Sequence, residues 1–147
     1  MKEIIASVPI ASWAKPNAHL YLWTTNPKLP FAFRVMEAWG FIYKTMLTWE
    51  KTTHVGTVHG GGMGWFYRGA TEHVLFGVRG HKSIPTYMRK PNLFRAPPTG
   101  EHSEKPDAFY SLVDLVSPVG RKLDVFARRE RQGWDVYGNE VGLKKSA

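Results

Sequence analysis

The sequence predicts an α/β sheet with helices packed on its faces, and three observations carry the prediction. Short apolar runs bounded by Pro, Asn and Gly recur along the chain. Between them, apolar residues fall at helical spacing. The two kinds of segment alternate without internal repeats, at lengths that suit strand–helix–strand units. With 147 residues the chain is one domain's worth, so a single domain over 1–147 is expected. A hydrophobic fraction of 43% with six Trp suffices for a packed core and excludes wholesale disorder. No apolar run approaches the roughly 20 residues that a membrane-spanning helix needs, and no signal segment is expected.

The elements follow in order. Residues 2–13 begin helix-like and meet Pro9, which predicts a short helix and then a turn. His19-Leu20-Tyr21-Leu22-Trp23, between Pro16-Asn17 and Asn26-Pro27, reads as a fully buried strand. Ala32, Val35, Met36 and Trp39 then fall at i, i+3, i+4 and i+7, one apolar helical face stopped by Gly40. Residues 41–49, rich in aromatic and β-branched side chains, form the next strand. Residues 52–64 are a glycine-rich connection, and 72–78 are a strand ended by Gly80. Residues 80–105, with many prolines and basic side chains, read as a long ordered loop. Pro106 opens a helix whose stripe is Phe109, Leu112, Val113 and Val116, ended by Gly120. Leu123, Val125 and Ala127 alternate in the following strand, and residues 134–137 form a last short one.

In such sheets ligands bind beyond the carboxyl ends of the strands, so the residues after Trp23, Trp49, Val78 and Phe126 are the ones of interest. Asp124, Arg128, Asn139 and Glu140 lie near two neighbouring strand exits, where Gly138 allows close backbone approach. A carboxylate and a guanidinium there can hold ribose hydroxyls, and an Asn can pair with a purine edge. The same residues serve equally as a surface salt bridge and a Gly-Asn turn. Lys105, just before a Pro-started helix, can bind a carboxylate or phosphate with the free N–H groups of that first turn, or stand as a solvated loop residue.

Twenty Lys and Arg against twelve Asp and Glu give a net charge of +8, which suits a polyanionic partner such as nucleic acid as well as a merely soluble basic surface. Arg79, His81, Lys82, Arg89, Lys90 and Arg95 are the local candidates for phosphate contacts, against general solvation. His59-Gly60-Gly61-Gly62-Met63-Gly64 lacks the setting of a dinucleotide loop and reads as a mobile cover or a plain connection. Trp65, Phe66, Tyr67 and Arg68 beside it suit an unpaired base, although at least two of the three aromatics are expected in the core. His54, His59, His73 and His81 lack metal-ligand spacing, so no metal is expected. The absence of Cys excludes disulfides and thiolate chemistry and makes a reducing, cytoplasmic setting the default.

Ordered motifs then run through nearly the whole chain. They are Ala18-His19-Leu20-Tyr21-Leu22-Trp23-Thr24-Thr25-Asn26-Pro27, Glu37-Ala38-Trp39-Gly40-Phe41 and Gly64-Trp65-Phe66-Tyr67-Arg68. Glu72-His73-Val74-Leu75-Phe76-Gly77-Val78-Arg79-Gly80 and Glu101-His102-Ser103-Glu104-Lys105-Pro106-Asp107 follow. Leu123-Asp124-Val125-Phe126-Ala127-Arg128-Arg129 and Gly133-Trp134-Asp135-Val136-Tyr137-Gly138-Asn139-Glu140 end the set.

This set resembles the adenine-N6 methyltransferase family that includes the messenger-RNA adenosine methyltransferase subunits and their bacterial and phage relatives. The resemblance implies a Rossmann-like fold with permuted motif order, a mostly parallel sheet, and S-adenosylmethionine as cofactor. It implies that Lys105 meets the cofactor's methionine carboxylate, that Asp124 and Arg128 surround its ribose, and that Asn139 and Glu140 hold its adenosine end. Trp65, Arg68 and Glu72 fall on the target-base side. The family carries Asp-Pro-Pro-Trp at the end of an early strand. Neither Ala96-Pro97-Pro98-Thr99 nor Asn26-Pro27-Lys28-Leu29 replaces it, so no catalytic residue is assigned. The domain is therefore expected to be N-terminally incomplete and to lack one central strand, which another protomer or a different subunit can complete. A catalytically inactive nucleic-acid-binding or partner subunit is the alternative.

Overall fold

The computed structural model describes residues 5, 7–101, 104–138 and 142–144. They fall into two compact units, Met1–Pro97 and Pro98–Ala147.

In the first unit a helical turn, Ile10–Trp13, follows Pro9, which stands at its N-cap rather than inside it. Strand β1 is Ala18–Thr24, helix α1 is Leu29–Ala38, β2 is Ile42–Lys51, β3 is Thr71–Arg79 and β4 is Leu93–Ala96. Helix α1 forms where the apolar stripe places it. Pro30 sits in its first turn, Ala32, Val35 and Met36 are buried, and Gly40 takes the left-handed stop at φ 81°.

The sheet order is β1-β3-β2-β4. Strands β1 and β2 both run antiparallel to β3, and β4 runs parallel to β2. The sheet is therefore mixed, not mostly parallel. The cause lies between β2 and β3, where residues 52–70 contain no crossover helix, so the chain turns straight back. Strand β1 is at an edge, and the side chains of residues 18–23 are half-buried rather than fully buried. Strand β4 lies inside the segment expected to be a loop. It is four residues long between Pro91 and Pro97, and an edge tolerates flanking prolines that cannot donate to a ladder.

The core of this unit centres on Trp49, Met36, Val74 and Leu75. The Trp49 indole N–H donates to the Ala96 carbonyl across 2.9 Å, which joins β4 to β2 through a satisfied buried donor. Gly77 carries no side chain where α1 presses on β3. A Cβ there would stand 2.8 Å from Met36 Sδ and 3.2 Å from Phe41 Cβ.

The second unit holds helix α2, Asp107–Val116, and strands β5, Leu123–Val125, β6, Asp135–Gly138, and β7, Gly142–Lys144. Pro106 is the residue before the helix rather than its first member. The order is β5-β6-β7, with β5 parallel to β6 and β7 antiparallel to β6; β7 is an addition to the expected elements. Phe109 and Val113 of α2 are buried, as are Ala127 and Val136. At the exit of β5, Phe126 adopts a left-handed φ of 62°, and the Phe126 and Ala127 N–H groups share the Tyr137 carbonyl. Gly138 permits that closeness, since a Cβ there would lie 3.0 Å from Phe126 Cα. No described helix is long and apolar enough to cross a membrane.

Candidate functional site

Asp124 is the middle residue of β5. The Tyr110 hydroxyl, from α2, donates to its Oδ2 across 2.9 Å. Burial pushes the Asp124 carboxyl above the usual carboxylate range, while the Tyr110 hydrogen bond and then the Arg131 charge pull it back. The Tyr110 phenol is pushed strongly upward, first by burial and then by the Asp124 charge. The Arg131 guanidinium lies over the Tyr110 ring, with Cζ 3.4 Å from its centroid, and Trp134 meets the ring edge-on at 5.3 Å. Arg131 Nε is a buried donor with no hydrogen-bond partner among the described residues.

The start of α2 is fastened to the loop after β5. Arg129 pairs with Glu104 across 3.1 Å and with Asp107, while Arg131 Nη1 reaches Asp107 Oδ1 at 2.5 Å. The Arg131 hydrogen bond, foremost, holds the exposed Asp107 carboxyl below its ordinary range. Lys105 lies within this tethered segment, and Arg128 directly precedes Arg129. The structure thus draws the Lys105 and Arg128 segments to one ion-paired junction. Asn139 and Glu140 lie outside the described residues. Tyr110, Asp107, Arg131 and Trp134 were not legible as site residues in the sequence. The one available signal was the arginine run at 128, 129 and 131, with the acids Glu104 and Asp107 upstream around the start of α2.

In the first unit, β1 and β2 finish where β3 begins, because β3 is antiparallel to both. Glu72 pairs there with Lys51 at 3.0 Å. Next to it, His73 Nε2 lies 2.8 Å from Asn26 Oδ1, and Nδ1 lies 3.0 Å from Thr48 Oγ1. Since an amide oxygen only accepts, Nε2 carries the proton and Nδ1 accepts from the Thr48 hydroxyl. Burial lowers the His73 pKa, with the Glu72 charge opposing, so the neutral ring is favoured.

The other candidates are spread apart. Arg79 is at the opposite end of β3 from Glu72, about 23 Å away at about 3.3 Å per residue. Its guanidinium donates to the carbonyls of Ala11, Ala14 and Trp39 and lies 4.8 Å over the Phe41 ring. The Lys82 carbonyl accepts from His19 Nε2 at 2.7 Å, so Lys82 shares that far end. Arg89 Nε donates to the Ile84 carbonyl at 3.2 Å, and Arg89 and Lys90 are exposed between β3 and β4. Arg95 is paired with Glu50. The exit after Val78 is thus not shared with the exits of β1 and β2.

Trp65, Phe66 and Tyr67 are 100%, 97% and 91% exposed, which overturns the expectation that two of them pack in the core. Arg68 Nη1 reaches the Gly60 carbonyl at 3.5 Å.

The MT-A70 family model matches residues 1–140. The chain belongs to the MT-A70 family. Among MT-A70 relatives, it is 32% identical over 142 residues to a Mycoplasma sp protein named Type II methyltransferase M.MunI, covering 96% of this chain and 58% of that protein. It is 26% identical over 128 residues to the human N(6)-adenosine-methyltransferase catalytic subunit METTL3, covering 85% of this chain and 22% of METTL3. To the human N(6)-adenine-specific methyltransferase METTL4 it is 28% identical over 149 residues, 93% of this chain and 31% of METTL4. The chain therefore spans little more than half of the first relative and under a third of the other two.

Proposed function

We propose that this chain supplies the cofactor-binding and base-facing residues of an S-adenosylmethionine-dependent N6-adenine methyltransferase acting on DNA or RNA. Asp124 carries the reading: a half-buried carboxylate one residue before the end of β5, oriented by the Tyr110 hydroxyl, beside the orphaned donor of Arg131. A diol suits that set, since its hydroxyls donate to the carboxylate and accept from a guanidinium. In this reading Asp124 and Arg128 hold the cofactor's ribose, and Lys105 takes its carboxylate. Asn139 and Glu140 serve the adenosine end. The bound cofactor would supply an electrophilic sulfonium methyl group.

Trp65, Arg68 and Glu72 serve the target base, and Lys82, Arg89 and Lys90 the phosphates. Arg79, tied to three carbonyls, joins them only by exchanging one of those bonds for a phosphate. The reaction class is direct transfer to an exocyclic amine. That nitrogen is a poor nucleophile because its lone pair is delocalised into the ring, so catalysis depends on positioning and on acceptors for its hydrogens. These 147 residues contain no Asp-Pro-Pro-Trp, and the acceptors are not assigned. We read the fold as a Rossmann-like methyltransferase with permuted motif order.

The net charge of +8 also favours a second reading, an inactive nucleic-acid-binding or partner subunit. Isothermal titration with S-adenosylmethionine and S-adenosylhomocysteine separates the two. Saturable binding that Arg128→Ala weakens supports the first reading. Nucleic-acid binding with a steep salt slope and no cofactor affinity supports the second. Methylation of adenine-containing oligonucleotides then tests the reaction itself.

A further inference from the structure

Residues 51–71 are a built hairpin rather than slack chain. Thr52 bridges Val58, the Thr53 N–H donates to the Thr57 carbonyl at 2.8 Å, and the His59 N–H returns to the Lys51 carbonyl at 2.9 Å. Further out, the Gly69 N–H donates to the Met63 carbonyl at 3.1 Å. Two glycines make this tip possible. A Cβ on Gly62 would fall on the Gly69 carbonyl oxygen, and one on Gly64 would fall on that of Tyr67. The backbone closes so tightly that residues 65–67 are turned outward.

Three consecutive aromatic rings are thereby held in water on an ordered support. Leaving that much apolar surface exposed is costly, and it marks a surface made for contact. The electrostatics indicate the partner. Lys51 at the base of the hairpin is neutralised by Glu72, but beyond it residues 52–71 hold Arg68, His54 and His59 and no Asp or Glu, in a chain of net charge +8. An aromatic tip with an arginine beside it and no acid of its own matches unpaired nucleobases on a phosphate backbone.

We propose that Trp65, Phe66 and Tyr67 form a stacking platform for unpaired nucleotides flanking the target base, so that the preferred substrate is single-stranded at that point. The proposal rests on the chain acting on nucleic acid, and it extends the base-facing set at Trp65 to Phe66 and Tyr67 and to nucleotides beside the target. Stacking needs an exposed π-face, which a paired and stacked duplex does not offer to three adjacent rings. It is also indifferent to base identity, so the platform binds strands that contain no adenine.

The test uses the full chain and fluorescence anisotropy with labelled oligodeoxythymidine and oligouridine of about 15 nucleotides, beside a duplex of the same length. The adenine-free strands separate the platform from methyl transfer, because their binding needs neither cofactor nor acceptor base. The wild-type chain binds the single strands more tightly than the duplex. Trp65→Ala weakens single-strand binding about tenfold, and W65A/F66A/Y67A weakens it further, with the salt slope unchanged. Arg68→Ala instead lowers the salt slope by about one. Circular dichroism and thermal midpoint stay at wild-type values, since the three rings support no core.

Equal binding by the triple variant and wild type overturns the proposal. So does a wild-type chain that binds no single strand at low salt, or prefers the duplex. Concentration-dependent self-association abolished by Trp65→Ala also overturns it, in favour of a protein contact.

Discussion

The Tyr110 hydroxyl donates to Asp124 Oδ2 across 2.9 Å, linking the first turn of α2 to the strand that carries the proposed ribose acceptor. This bond favours the ionised carboxylate, whereas burial, the larger influence, favours the neutral acid. Tyr110→Phe removes the stabilising donor and keeps the ring beneath Arg131. The Asp124 carboxyl then rises further, and the acid limb of cofactor binding moves to higher pH. Titration calorimetry across a pH series reads the shift; an unmoved acid limb would refute the positioning role. Stability falls by about 1–3 kcal/mol as a buried acceptor loses its partner.

Asp124→Asn separates stability from binding. A carboxyl whose folded pKa is raised contributes stability that is fully present below the unfolded pKa and is lost as pH rises through the folded one. Wherever it is ionised, Asp124 therefore weighs against the fold. Asn removes the charge and still accepts from Tyr110, so the thermal midpoint increases, most at neutral pH and least in acid. Affinity for S-adenosylmethionine falls at the same time, because an amide oxygen is the weaker acceptor for a diol. A midpoint that falls, or an affinity that holds, contradicts this account.

Gly77 tests the packing of α1 on β3. Gly77→Ala places a methyl 2.8 Å from Met36 Sδ, which can swing away, and 3.2 Å from Phe41 Cβ, which is fixed to the backbone. Overpacking of this kind costs about 1–3 kcal/mol. Gly77→Val costs more, since it adds two further methyl groups to a position where the Cβ is already crowded. Met36→Ala in the Gly77→Ala background recovers part of the loss, and denaturant unfolding of the four proteins measures the coupling.

How much of this was legible differs by the range of the interaction. Helix α1 was readable because Ala32, Val35 and Met36 declare one face through local spacing alone. The mixed direction of the sheet was not, because the reversal of β3 depends on what residues 52–70 lack, a helix, rather than on anything β3 contains. Strand β4 escaped notice since Leu93-Phe94-Arg95-Ala96 is too short for an alternation to stand out between prolines. At the site, Asp124 could be picked from its place near a strand exit. Tyr110 could not, because its role exists only once α2 and β5, 14 residues apart at this bond, are packed together. The outward rings at 65–67 were missed for a related reason. Hydrophobicity argues for burial, and only the Gly62 and Gly64 backbone contacts override it.

Asp107 is the last point of leverage, because it accepts from both Arg129 and Arg131. Its carboxyl is depressed, chiefly by the Arg131 bond, so its contribution to stability is present above the unfolded pKa and lost as pH falls through the folded one. The carboxylate is exposed, and water and salt screen the pairs, so Asp107→Asn costs under about 1 kcal/mol. The larger effect is positional. Without the carboxylate, Arg131 loses the tether that holds it over Tyr110, and the segment bearing Lys105 loses one of its anchors to the loop bearing Arg128. Cofactor affinity therefore drops by more than the loss of fold stability, and it becomes less sensitive to salt than in the wild type. Paired measurements of unfolding free energy and S-adenosylmethionine binding at low and high salt decide the matter. Equal losses in both would reduce Asp107 to an ordinary surface ion pair.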